Sequence, residues 1–219
     1  MTERYRPVRL VDLVRQAFRQ AYNEMFTPRG EPDVIHVSEV SDCLRKAFYY
    51  RTMDIPIPDD KLVILTIGGL IHRIVQKELT GMGFKCELEL THDVGPFTLV
   101  GHADALNSIG LLELKSVTRM PREPYHHHLL QTNAYMVMAD VNYGEIVYIS
   151  KAGGYLRTYP LRPDQALFDF LVSRACQLYE ALQRNEPPKP EPSKLCRWCS
   201  AYPICRGYKR LSEVVKRER

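Results

Sequence analysis

Val100-Gly101-His102-Ala103-Asp104-Ala105-Leu106-Asn107-Ser108-Ile109-Gly110-Leu111-Leu112-Glu113-Leu114-Lys115-Ser116-Val117-Thr118 is the stretch on which the fold turns. It reads as two antiparallel strands, 100–107 and 110–118, joined by a short turn at Ser108-Ile109. In the register that pairs Asn107 with Gly110, Asp104 falls opposite Glu113, and directly opposed residues share a sheet face with Cβ atoms roughly 5 Å apart. Glu113 and Lys115 are two apart on one strand and so point the same way. Two carboxylates and one lysine then converge on one patch. A hard divalent cation needs such carboxylate oxygens, and a lysine beside it can orient water or steady developing charge. An ordinary surface salt bridge is the plainer reading of the same three residues. A turn one residue longer would slip the register and part the two acids.

Outward from this hairpin the chain alternates helices and strands. Apolar residues at helical spacing predict an opening scaffold helix over about 10–24 and a longer one over about 63–80, with Ile67, Ile71, Ile74, Val75 and Leu79 on its buried stripe. Between them, Ser41-Asp42-Cys43 starts another helix and places Cys43 in its first turn, where amide dipoles favour a thiolate. A strand over 84–91 precedes the hairpin and completes a three-stranded meander. A helix over 124–140, short strands over 145–150 and 155–159, and a helix after Pro163 follow. Pro187 to Pro192 forms a stiff extended connector. The expected class is α/β with a mixed sheet, one domain spanning the chain, and no internal repeats.

At 219 residues with 45% hydrophobic content, the chain can bury a substantial core. Net charge is only +4. The basic excess is local, with Lys194, Arg197, Arg206, Lys209, Arg210, Lys216, Arg217 and Arg219 near the end, which suits phosphate contact or a solvated tail. No apolar segment approaches the ~20 residues needed to span a bilayer, so a cytoplasmic protein is expected. In a reducing compartment the six cysteines read as ligands or packing groups rather than disulfides. Cys86 and Cys176 sit in packing positions.

Cys196-x-x-Cys199, Cys205 within loop reach and the distant Cys43 form a thiolate set suited to structural zinc or an iron–sulfur cluster. Zinc modules bring two close pairs, and this set has one, which favours iron and sulfur. Such a group would staple the two ends of the chain. His72, beside the stripe of its helix, is either a half-buried histidine or a ligand that admits Mn²⁺ alongside Mg²⁺. Gln131 and Tyr135, one helical turn apart, face the same way and are either a surface pair or contacts to DNA. Consecutive His126, His127 and His128 cannot chelate one ion together. His102, placed opposite Lys115 by the hairpin register, is either structural or near the site.

Taken in order, Cys43-Leu44-Arg45-Lys46, His72, Gly101-His102-Ala103-Asp104, Glu113-Leu114-Lys115, Gln131-x-x-x-Tyr135 and Cys196, Cys199, Cys205 resemble the RecB-like nucleases of the PD-(D/E)xK superfamily. The resemblance covers most of 35–208, and is greatest to the CRISPR-associated RecB-family exonucleases that carry an iron–sulfur cluster. It departs at Asp104, which follows Ala103 rather than proline. The resemblance implies a restriction-endonuclease-like core over about 61–160, a helical N-terminal part, and an iron–sulfur clasp built from about 36–52 and 190–208. It implies that His72, Asp104, Glu113 and the Leu114 carbonyl bind Mn²⁺ or Mg²⁺, that Lys115 serves the attacking water, and that Gln131 and Tyr135 contact DNA. The cluster, 4Fe–4S favoured and 2Fe–2S open, would sit on Cys43, Cys196, Cys199 and Cys205. The implied activity is exonucleolytic trimming of DNA ends, typically single-stranded, in CRISPR spacer acquisition and antiviral defence, with integrase proteins as partners. A repair nuclease outside CRISPR and a non-catalytic iron–sulfur DNA-binding module are the alternatives. With no Gly-x-x-x-x-Gly-Lys phosphate loop, the nuclease is expected to be freestanding, without a motor.

Overall fold

The computed structural model describes residues 9–26 and 30–205. Its elements, in chain order, are α1 (Leu10–Met25), β1 (Val34–His36), α2 (Val37–Val40), α3 (Leu44–Thr52), α4 (Asp59–Gly81), β2 (Lys85–Asp93), β3 (Thr98–Leu106) and β4 (Leu111–Val117). Then come α5 (His126–Met138), β5 (Gly144–Ser150), β6 (Leu156–Leu161), α6 (Gln165–Arg184) and a short 3-10 turn at Lys194–Trp198. The fold is mixed α/β. No described helix is long and apolar enough to cross a membrane.

The expected hairpin register is present where β3 and β4 pair, with Ala105 against Leu112 and Leu106 against Leu111. Asn107 closes the turn: its N–H donates to Gly110 O at 3.1 Å, and its Oδ1 accepts from Ile109 N–H at 2.8 Å. Gly110 must be glycine, because a Cβ there would lie 2.7 Å from Tyr143 O. β2 follows one edge of β3 along its whole length. The other edge is therefore shared by β1, which pairs in parallel with 98–100, and by β4, which pairs only at 105–106. Beyond that point β4 peels away, and the Leu114 N–H donates to the Asp104 carboxylate at 2.7 Å in place of a ladder bond.

α5 carries the chain from β4 to β5, which run in parallel with Glu113 opposite Ile146 and Lys115 opposite Tyr148. Parallel strands need such a crossover. β6 returns antiparallel on β5. α2, α3, α5 and α6 share a core with the sheet that includes Ile35, Leu99, Leu111, Leu130, Met136, Leu171 and Leu178. Each large apolar side chain buried there is worth about 2 kcal/mol. Asp164 caps α6 by accepting from Leu167 N–H.

α4 corrects the sequence reading. Ile67 and Ile74 of the expected buried stripe are exposed, Ile74 by 67%, and the residues turned inward are Leu62, Thr66 and Gln76. The face of α4 that meets the sheet is partly polar because it reaches Asp104. α1 forms as expected, lying along α4 with Arg15 and Arg19 at Asp59 and with Met25 and Phe26 at Gly69. It buries none of its residues. β1, three residues long, carries too little pattern to be read from sequence. The basic stretch beyond Cys205 and the last residues of the expected clasp lie outside the described residues.

Candidate active site and cysteine cavity

Asp104 and Glu113 are both buried, Glu113 with 1% exposure, and different helices serve them. From α4, His72 Nδ1 lies 3.2 Å from Asp104 Oδ1, and Gln76 Nε2 donates to the Asp104 carbonyl at 3.2 Å and to its Oδ1 at 3.4 Å. Gln76 also donates to Glu87 Oε1 at 2.5 Å. From β4, Lys115 Nζ donates to Glu113 Oε1 at 2.6 Å. From α5, Gln131 Nε2 donates to the same oxygen at 3.0 Å, while Gln131 Oε1 accepts from Lys115 Nζ at 3.2 Å. Glu113 Oε2 is buried without a hydrogen-bond partner among the described residues. A carboxylate oxygen left in that state costs on the order of 1–3 kcal/mol or more.

Electrostatics follow from this packing. Burial and the Asp104 charge push Glu113 up to about 7 despite Lys115 beside it. Burial opposes the charged form of Lys115, but the Glu113 and Asp104 carboxylates outweigh it and raise its pKa, so the ammonium persists. At His72 burial likewise works against the charge, and the hydrogen bond to the Asp104 carboxylate, with that group's charge, prevails to raise it.

Residues 76–206 match the family described as the PD-(D/E)XK nuclease superfamily. The chain belongs to this superfamily. Among solved structures it resembles the crystal structure of SSO0001, with a TM-score of 0.70 and 19% identity over 90% of this chain and 96% of that one. A more remote likeness is an alkaline exonuclease (LHK-Exo) from Laribacter hongkongensis, with a TM-score of 0.49 and 12% identity over 76% of this chain and 93% of that one. No curated protein matches.

In this PD-(D/E)xK nuclease chain the sequence-predicted trio of Asp104, Glu113 and Lys115 is brought together, with His72 and Gln131 in the same network. Tyr135 is not outward-facing. It is 3% exposed, its ring fills the space where a Cβ on Gly101 would stand 2.3 Å away, and its hydroxyl accepts from Gln131 at 2.9 Å. It holds Gln131 from within rather than presenting itself to a substrate. The His102 ring is half-exposed and lies 3.5 Å from Glu89. Sequence reasoning missed Gln76, although its position one turn beyond His72 put both on one helix face. Among the described residues, no three His, Cys, Asp or Glu side chains are already disposed around a single point to hold one ion. The donor set still fits a hard divalent cation: it offers two buried carboxylates, one with an orphaned oxygen, and an imidazole.

The four candidate cysteines, Cys43, Cys196, Cys199 and Cys205, line one cavity of about 260 Å³ together with Asp42, Lys46, Lys61 and His127. All are free and half-buried. Cys43 is the N-cap of α3 rather than a first-turn residue. Burial pushes its thiol up, with the Glu191 carboxylate adding to the effect, so the dipole does not win as expected. Glu191, from the extended connector, accepts from Leu44 N–H at 2.7 Å and is paired by Arg174, whose guanidinium also donates to Val40 O and Asp42 O. Lys61 Nζ reaches Trp198 O at 3.3 Å and Ser200 Oγ at 3.1 Å. These contacts join 40–44 and Lys61 to α6, the connector and 198–200 around the cavity. Cys86 donates to Gln76 O and Cys176 packs on the core, as read.

The raised Glu113 carboxyl gives a pH dependence with a definite sign. The native state keeps a proton that the unfolded chain releases near 4.5, so this group's stabilising contribution is full below that value and lost as pH rises through about 7. A divalent ion needs the ionised form. The rise in Tm caused by Mn²⁺ should therefore be larger at about pH 8 than at about pH 6, and calorimetry at the lower pH should show up to one proton released per ion. Glu113→Gln should remove the difference between the two pH values. A pH-independent Mn²⁺ shift in the parent protein would place the ion elsewhere.

Proposed function

We propose that the chain is a metal-dependent deoxyribonuclease that trims DNA ends, preferring single strands. The observation that carries this is the Glu113 oxygen buried without a partner, beside an ammonium and a second carboxylate, in a chain of a nuclease superfamily. Mn²⁺ or Mg²⁺ would be held by His72, Asp104, Glu113 and the Leu114 carbonyl. When bound, the ion supplies Lewis-acid activation at the scissile phosphate. Lys115, kept charged by Glu113 and Asp104, orients the attacking water and stabilises charge on the phosphate. Gln131, held by Tyr135, fixes the Lys115–Glu113 pair, and Gln76 with the Leu114 amide fixes Asp104.

The cysteine cavity supports the second half of the reading, an iron–sulfur cluster on Cys43, Cys196, Cys199 and Cys205. Four free cysteines line a shared cavity, and their spacing, one close pair rather than two, suits a polynuclear group better than a single zinc ion. Single-strand trimming in CRISPR spacer acquisition, with integrase proteins as partners, rests on the resemblance of the motifs.

One preparation tests both halves. Anaerobically purified protein should be brown, with iron and sulfide. With Mn²⁺ or Mg²⁺ it should shorten single strands labelled at either end, the label lost first giving the polarity. Binding without cutting under any divalent ion would leave a non-catalytic module, and colourless protein holding one zinc would remove the cluster.

A further inference from the structure

We propose that Tyr125 is a base-stacking platform for single-stranded nucleic acid at the mouth of the carboxylate site, with Arg119 and Arg122 on the same loop for its phosphates. The inference rests on the nuclease reading above and adds to it the element that holds the strand. Tyr125 precedes α5 and is 41% exposed. Its ring is nevertheless fixed. It stacks on His127 with centroids 5.8 Å apart and planes 12° from parallel, and meets His128 and Tyr148 edge-on at 5.6 and 6.1 Å.

The surroundings make this ring rigid and place it beside the chemistry. Tyr148 stands opposite Lys115 on the neighbouring parallel strand, so the two side chains share a sheet face. The Tyr148 hydroxyl lies 2.8 Å from His128 Nδ1 and accepts from Tyr125 N–H at 3.1 Å. One tyrosine thus links the strand beside the catalytic one to the base of the exposed ring. His127 and Gln131, one turn apart on α5, share the face that meets Lys115. The loop before Tyr125 is pinned from β6: Arg157 and the Tyr159 hydroxyl both donate to Pro121 O, at 2.8 and 2.9 Å, and Tyr159 also donates to Arg122 O. Arg119 and Arg122 on this loop are exposed.

None of the contacts made by the Tyr125 ring touches Glu113 or Asp104. A rigid aromatic ring open to solvent, next to cationic side chains and one strand away from the catalytic lysine, matches what sequence-independent single-strand binding uses: π-faces for bases and charge for the backbone. Pre-ordering the ring avoids an entropy cost on binding. A duplex, whose bases are already stacked, would gain nothing from it.

Binding measured by fluorescence anisotropy in EDTA, where no cleavage occurs, tests this. The full-length protein should bind a short labelled single strand about 10-fold or more tightly than the same strand carrying abasic sites. Tyr125→Ala should lose most of that difference, while Tyr125→Phe and Tyr125→Trp should keep it. Equal affinity of the parent protein for the two strands, or a Tyr125→Ala variant that discriminates as well as the parent, would overturn the proposal. Cleavage with Mn²⁺ without base discrimination would sink the platform and leave the nuclease. Discrimination without cleavage would do the reverse.

Discussion

Replacing Lys115 by alanine is expected to lower the rate of DNA cleavage by about 10³-fold at saturating Mn²⁺, measured from initial rates on end-labelled strands. A preorganised donor aimed at developing charge in a water-excluded site is worth about 10²–10³ in rate, and this one is held on two sides, by Glu113 and by Gln131. Despite burial, Glu113 and Asp104 raise its pKa and so favour the ammonium, and the loss expected is one of charge and water placement. Removing the ammonium also takes away the attraction that restrains Glu113, whose carboxyl then rises above about 7. The ion should therefore bind more weakly near neutrality. Raising the pH should restore its affinity without restoring the rate, because the proton on Glu113 can be removed but the missing charge cannot be replaced. Lys115→Arg should not rescue: a planar fork differs from a compact ammonium in both length and donor geometry. A Lys115→Ala protein that cuts at the parent rate would exclude this patch as the site of hydrolysis.

That patch was legible in the sequence because a two-residue turn leaves little freedom in how Asp104 and Glu113 line up, and side-chain alternation ties Lys115 to Glu113. Less accessible was the way Asp104 is held. The hairpin ladder stops at Ala105, and the bond to Leu114 N–H replaces it, an outcome that depends on β1 and β4 sharing one edge of β3. Helical spacing placed Gln131 and Tyr135 on one face but could not say how deep each would sit. Gly101, by lacking a Cβ, opens the slot that draws the Tyr135 ring inside. The same limit explains α4: periodicity identified Ile67, Ile71 and Ile74 as one face, and the sheet took the side carrying Thr66 and Gln76 instead. The cysteine set could be read because ligand spacing is local. The polar lining of its cavity comes from elements more than a hundred residues apart, and no spacing rule connects them.

The contact that joins those elements gives the other large expected effect. Arg174→Ala should destabilise the fold by about 3 kcal/mol, since it removes a guanidinium of 12% exposure from two backbone carbonyls and from a carboxylate that is itself 37% exposed. For a domain of this size that is about 6–12 °C in Tm, measured by circular dichroism. Three groups lose the Arg174 donor at once: the Val40 and Asp42 carbonyls at the approach to α3, and the Glu191 carboxylate, which keeps Leu44 N–H. Glu191→Gln should cost less, because the amide oxygen can still accept from Leu44 N–H while Arg174 keeps its two carbonyls. The double change Arg174→Ala with Glu191→Ala should cost less than the two single changes added, the sign of one shared network. Because Pro190, Glu191 and Pro192 form one wall of the cysteine cavity, Arg174→Ala should also speed alkylation of the thiols and expose the connector to protease well below the global melting temperature. Unchanged thiol reactivity in a destabilised Arg174→Ala protein would mean that the connector is held by the cavity's own contents and not by this arginine.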